Sequence, residues 1–142
     1  MIGFDVRVYV DSSALIKRSV EEAESKALEA ALDRYVDDDA ALVASSLAWV
    51  ELSRALRALL EDGQRAEEEI REAIDIALSG VAERPMTDEV VGLARRIGPG
   101  RLRTLDAIHV ATAILMDVDV VLTYDSRLAD ACRHNGLTAR AP

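Results

Sequence analysis

Short aliphatic runs alternate with segments of helical periodicity along this chain, and that alternation narrows the possible folds sharply. Residues 6–10 (Val-Arg-Val-Tyr-Val), 40–44 (Ala-Ala-Leu-Val-Ala) and 118–122 (Val-Asp-Val-Val-Leu) read as strands, with shorter ones expected at 81–84 and 137–139. The central runs carry too few polar residues to face water on one side. Strands buried on both faces belong to parallel sheets, and parallel connections need crossover helices. The expected fold is therefore α/β, a mainly parallel sheet of about five strands between two helical layers.

The helices are read from their spacing and their punctuation. Segments at 14–18, 20–35, 45–61, 66–78, 87–97, 104–116 and 126–134 carry apolar residues at helical intervals. In the second, Ala23, Ala27, Ala30, Ala31 and Tyr35 share a face. In the third, Leu47, Val50, Ala55 and Leu59 do, with Arg54 and Arg57 beside them. Asp37-Asp38-Asp39, Gly63, Gly80 and Gly98-Pro99-Gly100 are the expected breaks, and Thr87 is the expected cap of the fifth helix.

Length and composition bound the rest. With 142 residues, one domain over 1–142 is expected, able to bury about two thirds of its unfolded surface. Half the residues are hydrophobic, which excludes disorder as a general description, and aromatics are too few for a stacking platform. The net charge of −9 excludes nucleic-acid binding through bulk charge. The single cysteine, Cys132, has no disulfide partner and falls on an apolar helix face, so a core position and a cytoplasmic location are expected. No secretion signal or membrane span is evident.

Four carboxylates stand out. Asp11 follows the first strand directly, and Asp125 closely follows the strongest one. Open α/β sheets bind ligands beyond the carboxyl ends of their strands. Asp106 sits among Leu105, Ala107 and Ile108 at the start of the helix entering that last strand, and Glu51 sits among Trp49, Val50 and Leu52 after the second strand. Each has a structural explanation: Asp11 and Asp125 as helix caps, Asp106 as a first-turn acid, Glu51 as a partner of Arg54. Buried carboxylates need compensation, however, and no basic residue in the apolar stretches around Asp11 or Asp125 supplies it. A divalent cation would, and carboxylate oxygens are the donors Mg2+ and Mn2+ prefer.

Lesser candidates cluster around these acids. Ser12, Ser13 and Thr123 are hydroxyls that could position a water or cap a turn. His109, three residues after Asp106, reads more readily as a packed or ion-paired side chain than as a ligand. Lys17 has exposure as its default reading, and Glu67-Glu68-Glu69 reads as a solvated face.

These segments resemble the motifs of PIN domains: Val-Tyr-Val-Asp11-Ser-Ser-Ala-Leu-Ile-Lys17, Ala-Trp-Val-Glu51-Leu-Ser-Arg-Ala, Arg103-Thr-Leu-Asp106-Ala-Ile-His109 and Val-Val-Leu-Thr123-Tyr-Asp125-Ser-Arg-Leu. The likeness runs in order over residues 6–136 and is strongest to the VapC toxins of toxin–antitoxin pairs. It implies a three-layer α/β/α fold in which Asp11, Glu51, Asp106 and Asp125 meet as catalytic and metal-binding residues. It further implies Mg2+- or Mn2+-dependent endoribonuclease action on tRNA, rRNA or mRNA, a homodimer, and a cognate antitoxin protein.

Without the four acids the net charge is still −5, so RNA must find a local basic patch. Arg101, Arg103, Arg54, Arg57 and Lys17 are the candidates. Two readings within the same family stand beside the toxin: a nuclease of RNA processing, and an inert binding module. A phosphoacceptor receiver domain fits poorly, because the first strand ends in Asp-Ser-Ser and no lysine follows Thr123 at the strand end.

Overall fold

A computed structural model describes residues 6–61 and 67–142. The expected stop at Gly63 and the opening residues 1–5 lie outside them. Five strands form one sheet: β1 (Arg7–Val10), β2 (Ala41–Ser45), β3 (Val81–Arg84), β4 (Val120–Leu122) and β5 (Ala139–Arg140). Their order is β3-β2-β1-β4-β5, and every pairing is parallel. The helices are α1 (Ser12–Leu15), α2 (Ser25–Asp37), α3 (Ser46–Leu60), α4 (Glu67–Leu78), α5 (Asp88–Ala94), α6 (Thr104–Leu115) and α7 (Ser126–His134). A 3-10 turn, Ile16–Arg18, continues α1.

The strand order puts β1 at the centre, as its composition requires: Val8, Tyr9 and Val10 are fully buried. The chain moves outward from β1 through β2 to β3, then returns to lay β4 on the other side of β1. That reversal opens a crevice beyond the carboxyl ends of β1 and β4, the usual ligand position in such sheets. None of the described helices is long and apolar enough to cross a membrane.

Several boundaries and faces differ from the sequence reading. Helix α2 begins at Ser25 rather than residue 20, because residues 20–24 form a turn tied by Ser25, whose hydroxyl donates to the Lys17 carbonyl at 2.8 Å and accepts from the Glu22 N–H at 2.9 Å. Its buried stripe is Leu28, Ala31 and Leu32; Ala23, Ala27 and Ala30 are exposed. Helix α3 buries Ala48, Leu52 and Leu56, while Val50 and Leu59 are 59% and 56% exposed. In α2 the leucines decide which stripe turns inward, since they remove the most apolar area from water; α3 carries leucines on both stripes, and there tertiary packing decides. Helix α5 ends at Ala94, short of the expected residue 97, and β5 lies at 139–140 rather than 137–139. Thr87 caps α5 as expected, accepting from the Val90 N–H at 3.2 Å. Cys132 is buried, as expected.

The inward face of α3 can be tested directly. Leu56→Ala should cost about 2–5 kcal/mol in chemical unfolding, because it leaves a core cavity. Val50→Ala should change stability by less than about 0.5 kcal/mol. Equal effects would contradict the Ala48–Leu52–Leu56 stripe.

Candidate active site

Each of the four acids reaches the crevice for a local reason. Asp11 leaves β1 as the N-cap of α1, its carboxylate accepting from the Ser13 N–H at 3.4 Å. Asp125 leaves β4 as the N-cap of α7, its Oδ1 accepting from the N–H groups of Arg127 and Leu128 at 2.9 and 3.3 Å. Asp106 stands in the first turn of α6, and Glu51 in the second turn of α3. All four line one cleft of about 190 Å³, together with Ser12, Ser13, Leu52 and His109. The capping explanations for Asp11 and Asp125 are therefore true and compatible with a site, since a carboxylate has more lone pairs than one cap consumes.

Asp11 is the most buried of the four, at 4% exposure. Its Oδ2 accepts from the hydroxyls of Ser13 at 2.7 Å and Thr123 at 2.9 Å. Those hydroxyls in turn accept from the N–H groups of Tyr124 and Asp125, at 2.9 and 3.0 Å. Ser13 and Thr123, expected as capping or water-positioning hydroxyls, thus brace the end of β1 against the end of β4, while Ser12 donates to Glu51 Oε1 at 3.3 Å on α3.

The compensating group missing from the sequence reading is His109. It is 2% exposed, and its Nε2 lies 2.6 Å from Glu51 Oε1 and 3.8 Å from Asp11 Oδ1. Its Nδ1 lies 2.5 Å from the Tyr9 hydroxyl, which accepts from the Ser45 N–H at 3.1 Å. Burial works against the imidazolium, but the hydrogen bond to Glu51 and the charges of Asp11, Glu51 and Asp106 outweigh it, so the ring's pKa stands above its usual value. His109 is ion-paired and packed, as the sequence suggested; that its partners would be two of the four acids was not legible. Its position three residues after Asp106, on the same helix, was the available signal. Glu51 pairs with His109 rather than with Arg54.

Not every oxygen is occupied. Among the described residues, both oxygens of Asp106, Oδ2 of Asp125 and Oε2 of Glu51 accept no hydrogen bond. Burial raises the Asp106 carboxyl pKa, and the charges of Asp125 and Asp11 raise it further. An all-oxygen donor set with unrelieved negative charge suits a hard divalent cation. Asp11, Glu51 and His109 also present atoms lying within 4.8 Å of one another, close enough to surround an ion.

Two expected phosphate contacts are spent elsewhere. Lys17 is buried rather than exposed, bridging Glu22 and Glu24 at 3.0 and 3.1 Å over the Tyr124 ring. Arg57 makes a two-pronged pair with Glu67, both contacts at 2.7 Å. The side chains of Arg101, Arg103 and Arg127, in contrast, form no hydrogen bond or ion pair among the described residues. These three line a groove of about 620 Å³ that shares Asp106 with the acidic cleft.

The chain matches the PIN domain family over residues 8–134. It is 41% identical over 137 residues to ribonuclease VapC46 of Mycobacterium tuberculosis, covering 95% of this chain and 97% of that protein. It is 36% identical to ribonuclease VapC47 of the same species, over 95% and 96% of the two chains. The fold is similar to that in the crystal structure of VapBC2 from Rickettsia felis bound to a promoter DNA fragment, with a TM-score of 0.69, 12% identity, and coverage of 96% and 98%. With this fold, these four acids in one cleft and relatives matched end to end, the chain belongs to the PIN-domain family and groups with its VapC ribonucleases.

Proposed function

We propose that the protein is a divalent-metal-dependent endoribonuclease, the toxin of a toxin–antitoxin pair, acting in the cytoplasm. The observation carrying this reading is the convergence of Asp11, Glu51, Asp106 and Asp125, distant in sequence, on one cleft at the strand ends. The ribonuclease relatives support RNA as the substrate. The VapBC2 complex supports a cognate antitoxin, and a homodimer belongs to the same proposal. Mg2+ or Mn2+ is the proposed cation.

Asp11, Asp106 and Asp125 would hold the cation directly or through water, with Glu51 completing the site. A divalent ion held there would supply an acidified water and positive charge beside the phosphorus during in-line displacement. The protein fixes the geometry in advance: Asp11 is locked by Ser13 and Thr123, and Asp125 by the α7 backbone. In-line attack by water breaks the bond to the 3′ oxygen, leaving a 5′-phosphate and a 3′-hydroxyl. The Arg101–Arg103–Arg127 groove is the proposed path for the RNA backbone, because its cations remain free and it opens onto Asp106.

Asparagine caps helices about as well as aspartate, so neutralising a capping acid separates the two roles. Asp11→Asn and Asp125→Asn should lower Mg2+-dependent RNA cleavage by about 10²–10³-fold, the scale for losing a key charge in a preorganised site, with the fold retained. Cleavage near the wild-type rate in either variant would remove that residue from the mechanism.

Asp106 generates a stability prediction. Its folded pKa is raised, so the fold disfavours the carboxylate; the penalty is absent below the unfolded pKa and complete above the folded one. Asp106→Asn should raise the metal-free melting temperature at pH 7 by up to about 3 °C, and the gain should vanish below about pH 4. A gain independent of pH would point to another cause.

The groove is tested by salt dependence. In an uncleaving Asp11→Asn background, Arg101→Ala combined with Arg127→Ala should lower the log–log salt slope of single-stranded RNA binding by about 1.4, from two lost phosphate contacts. Arg57→Ala should leave the slope unchanged, since Glu67 already neutralises that side chain. The opposite pattern would move the RNA path to the α3 side.

A further inference from the structure

The atoms around His109 can be read in two ways. Its Nε2 stands beside Asp11 and Glu51, where an imidazole lone pair could complete a cation site. The same nitrogen lies 2.6 Å from Glu51 Oε1, a separation that requires a proton between them. We infer that His109 is a positioning residue which donates Nε2–H to Glu51 and is not a cation ligand. This rests on the reading of the cleft as a cation site.

Hydrogen-bond accounting leads there without reference to the ring's charge. The Ser45 N–H can only donate, so the Tyr9 hydroxyl oxygen accepts from it and its own proton is available to His109 Nδ1. Burial keeps that phenol protonated by pushing its pKa upward. In the neutral ring, Nδ1 then accepts from Tyr9 and the proton sits on Nε2. In the imidazolium, both nitrogens carry protons. Either way Nε2 faces Glu51 as a donor and has no lone pair to offer.

The consequence falls on Glu51. Its Oε1 accepts from His109 and also from the Ser12 hydroxyl at 3.3 Å. Its Oε2 accepts from none of the described residues, so that oxygen alone is left to face a cation or its water. The buried chain from the Ser45 N–H through Tyr9 and His109 thus ties Glu51, on α3, to the end of β2 and to α6. Such outer partners orient the groups that act on a metal.

The ring nitrogens can be observed directly. Long-range 1H–15N correlation spectra of the full-length protein, metal-free and saturated with Mg2+, should show His109 Nε2 protonated in both states. An unprotonated Nε2 in Mg2+ would establish ligation and overturn the inference. Kinetics supply a second readout. His109→Ala should lower kcat about 10–100-fold with KM within twofold, the usual scale for an orienting partner. His109→Gln, whose amide N–H can donate from nearly the same place, should recover at least a third of that loss on a logarithmic scale. Glutamine no better than alanine would also overturn it. The spectra need no cleavage activity, so a wild type inactive on RNA would refute the nuclease reading and leave this inference to be decided by the ring nitrogens.

Discussion

Asp11 sits at the end of the central strand with two hydroxyl protons directed at one of its oxygens, from Ser13 and Thr123. A carboxylate this buried is tolerable only when its lone pairs are filled and opposite charge stands nearby. The hydroxyls supply the first, and they also accept from the backbone after β4. One buried negative charge therefore fastens the turn after β1 to the turn after β4. The orientation of α1 and α7, and hence the floor of the cleft, follows from that bond network. His109 supplies only part of the opposite charge.

The rest of the charge balance explains how an acidic chain can belong to a family of ribonucleases. The molecule spends its cations selectively. Lys17 and Arg57 are bound into internal pairs, and Arg18 is held by Glu29 and by the carbonyls of Ala77 and Ser79. The arginines left without such partners include the three at the groove beside Asp106. Under the proposed function, repulsion of polyanions over most of the surface, with a local exception next to the acids, would favour productive encounter over indiscriminate binding. Burial and the charges of Asp125 and Asp11 raise the Asp106 carboxyl pKa, a cost that the proposed cation would relieve.

Much of this was legible in the chain. Strand-forming runs alternating with helical periodicity led to a parallel α/β sheet, and both the cap at Thr87 and the core position of Cys132 follow from local chemistry. The four acids were visible because each stands beside a strand end or among apolar neighbours. The inward face of α3 was misread because Val50 and Leu59 also recur at helical spacing; packing into the shared core selects Leu52 and Leu56 instead. Lys17 was misread for a related reason. Its burial comes from Glu22, Glu24 and the Tyr124 ring, and the ring lies more than a hundred residues away.

Local pattern, then, was enough for element type, fold class and the identity of the acidic residues, since periodicity, capping and burial of charge are properties of a few consecutive side chains. Contact across the sheet settled the remainder. The pairing of β1 with β4 brings Asp11 to Thr123, and the packing of α6 brings His109 between Tyr9 and Glu51. Those partnerships join residues 58 to 112 positions apart. No local rule encodes them, because hydrogen-bond partners at such separations exist only after strand order and helix packing have fixed the distances.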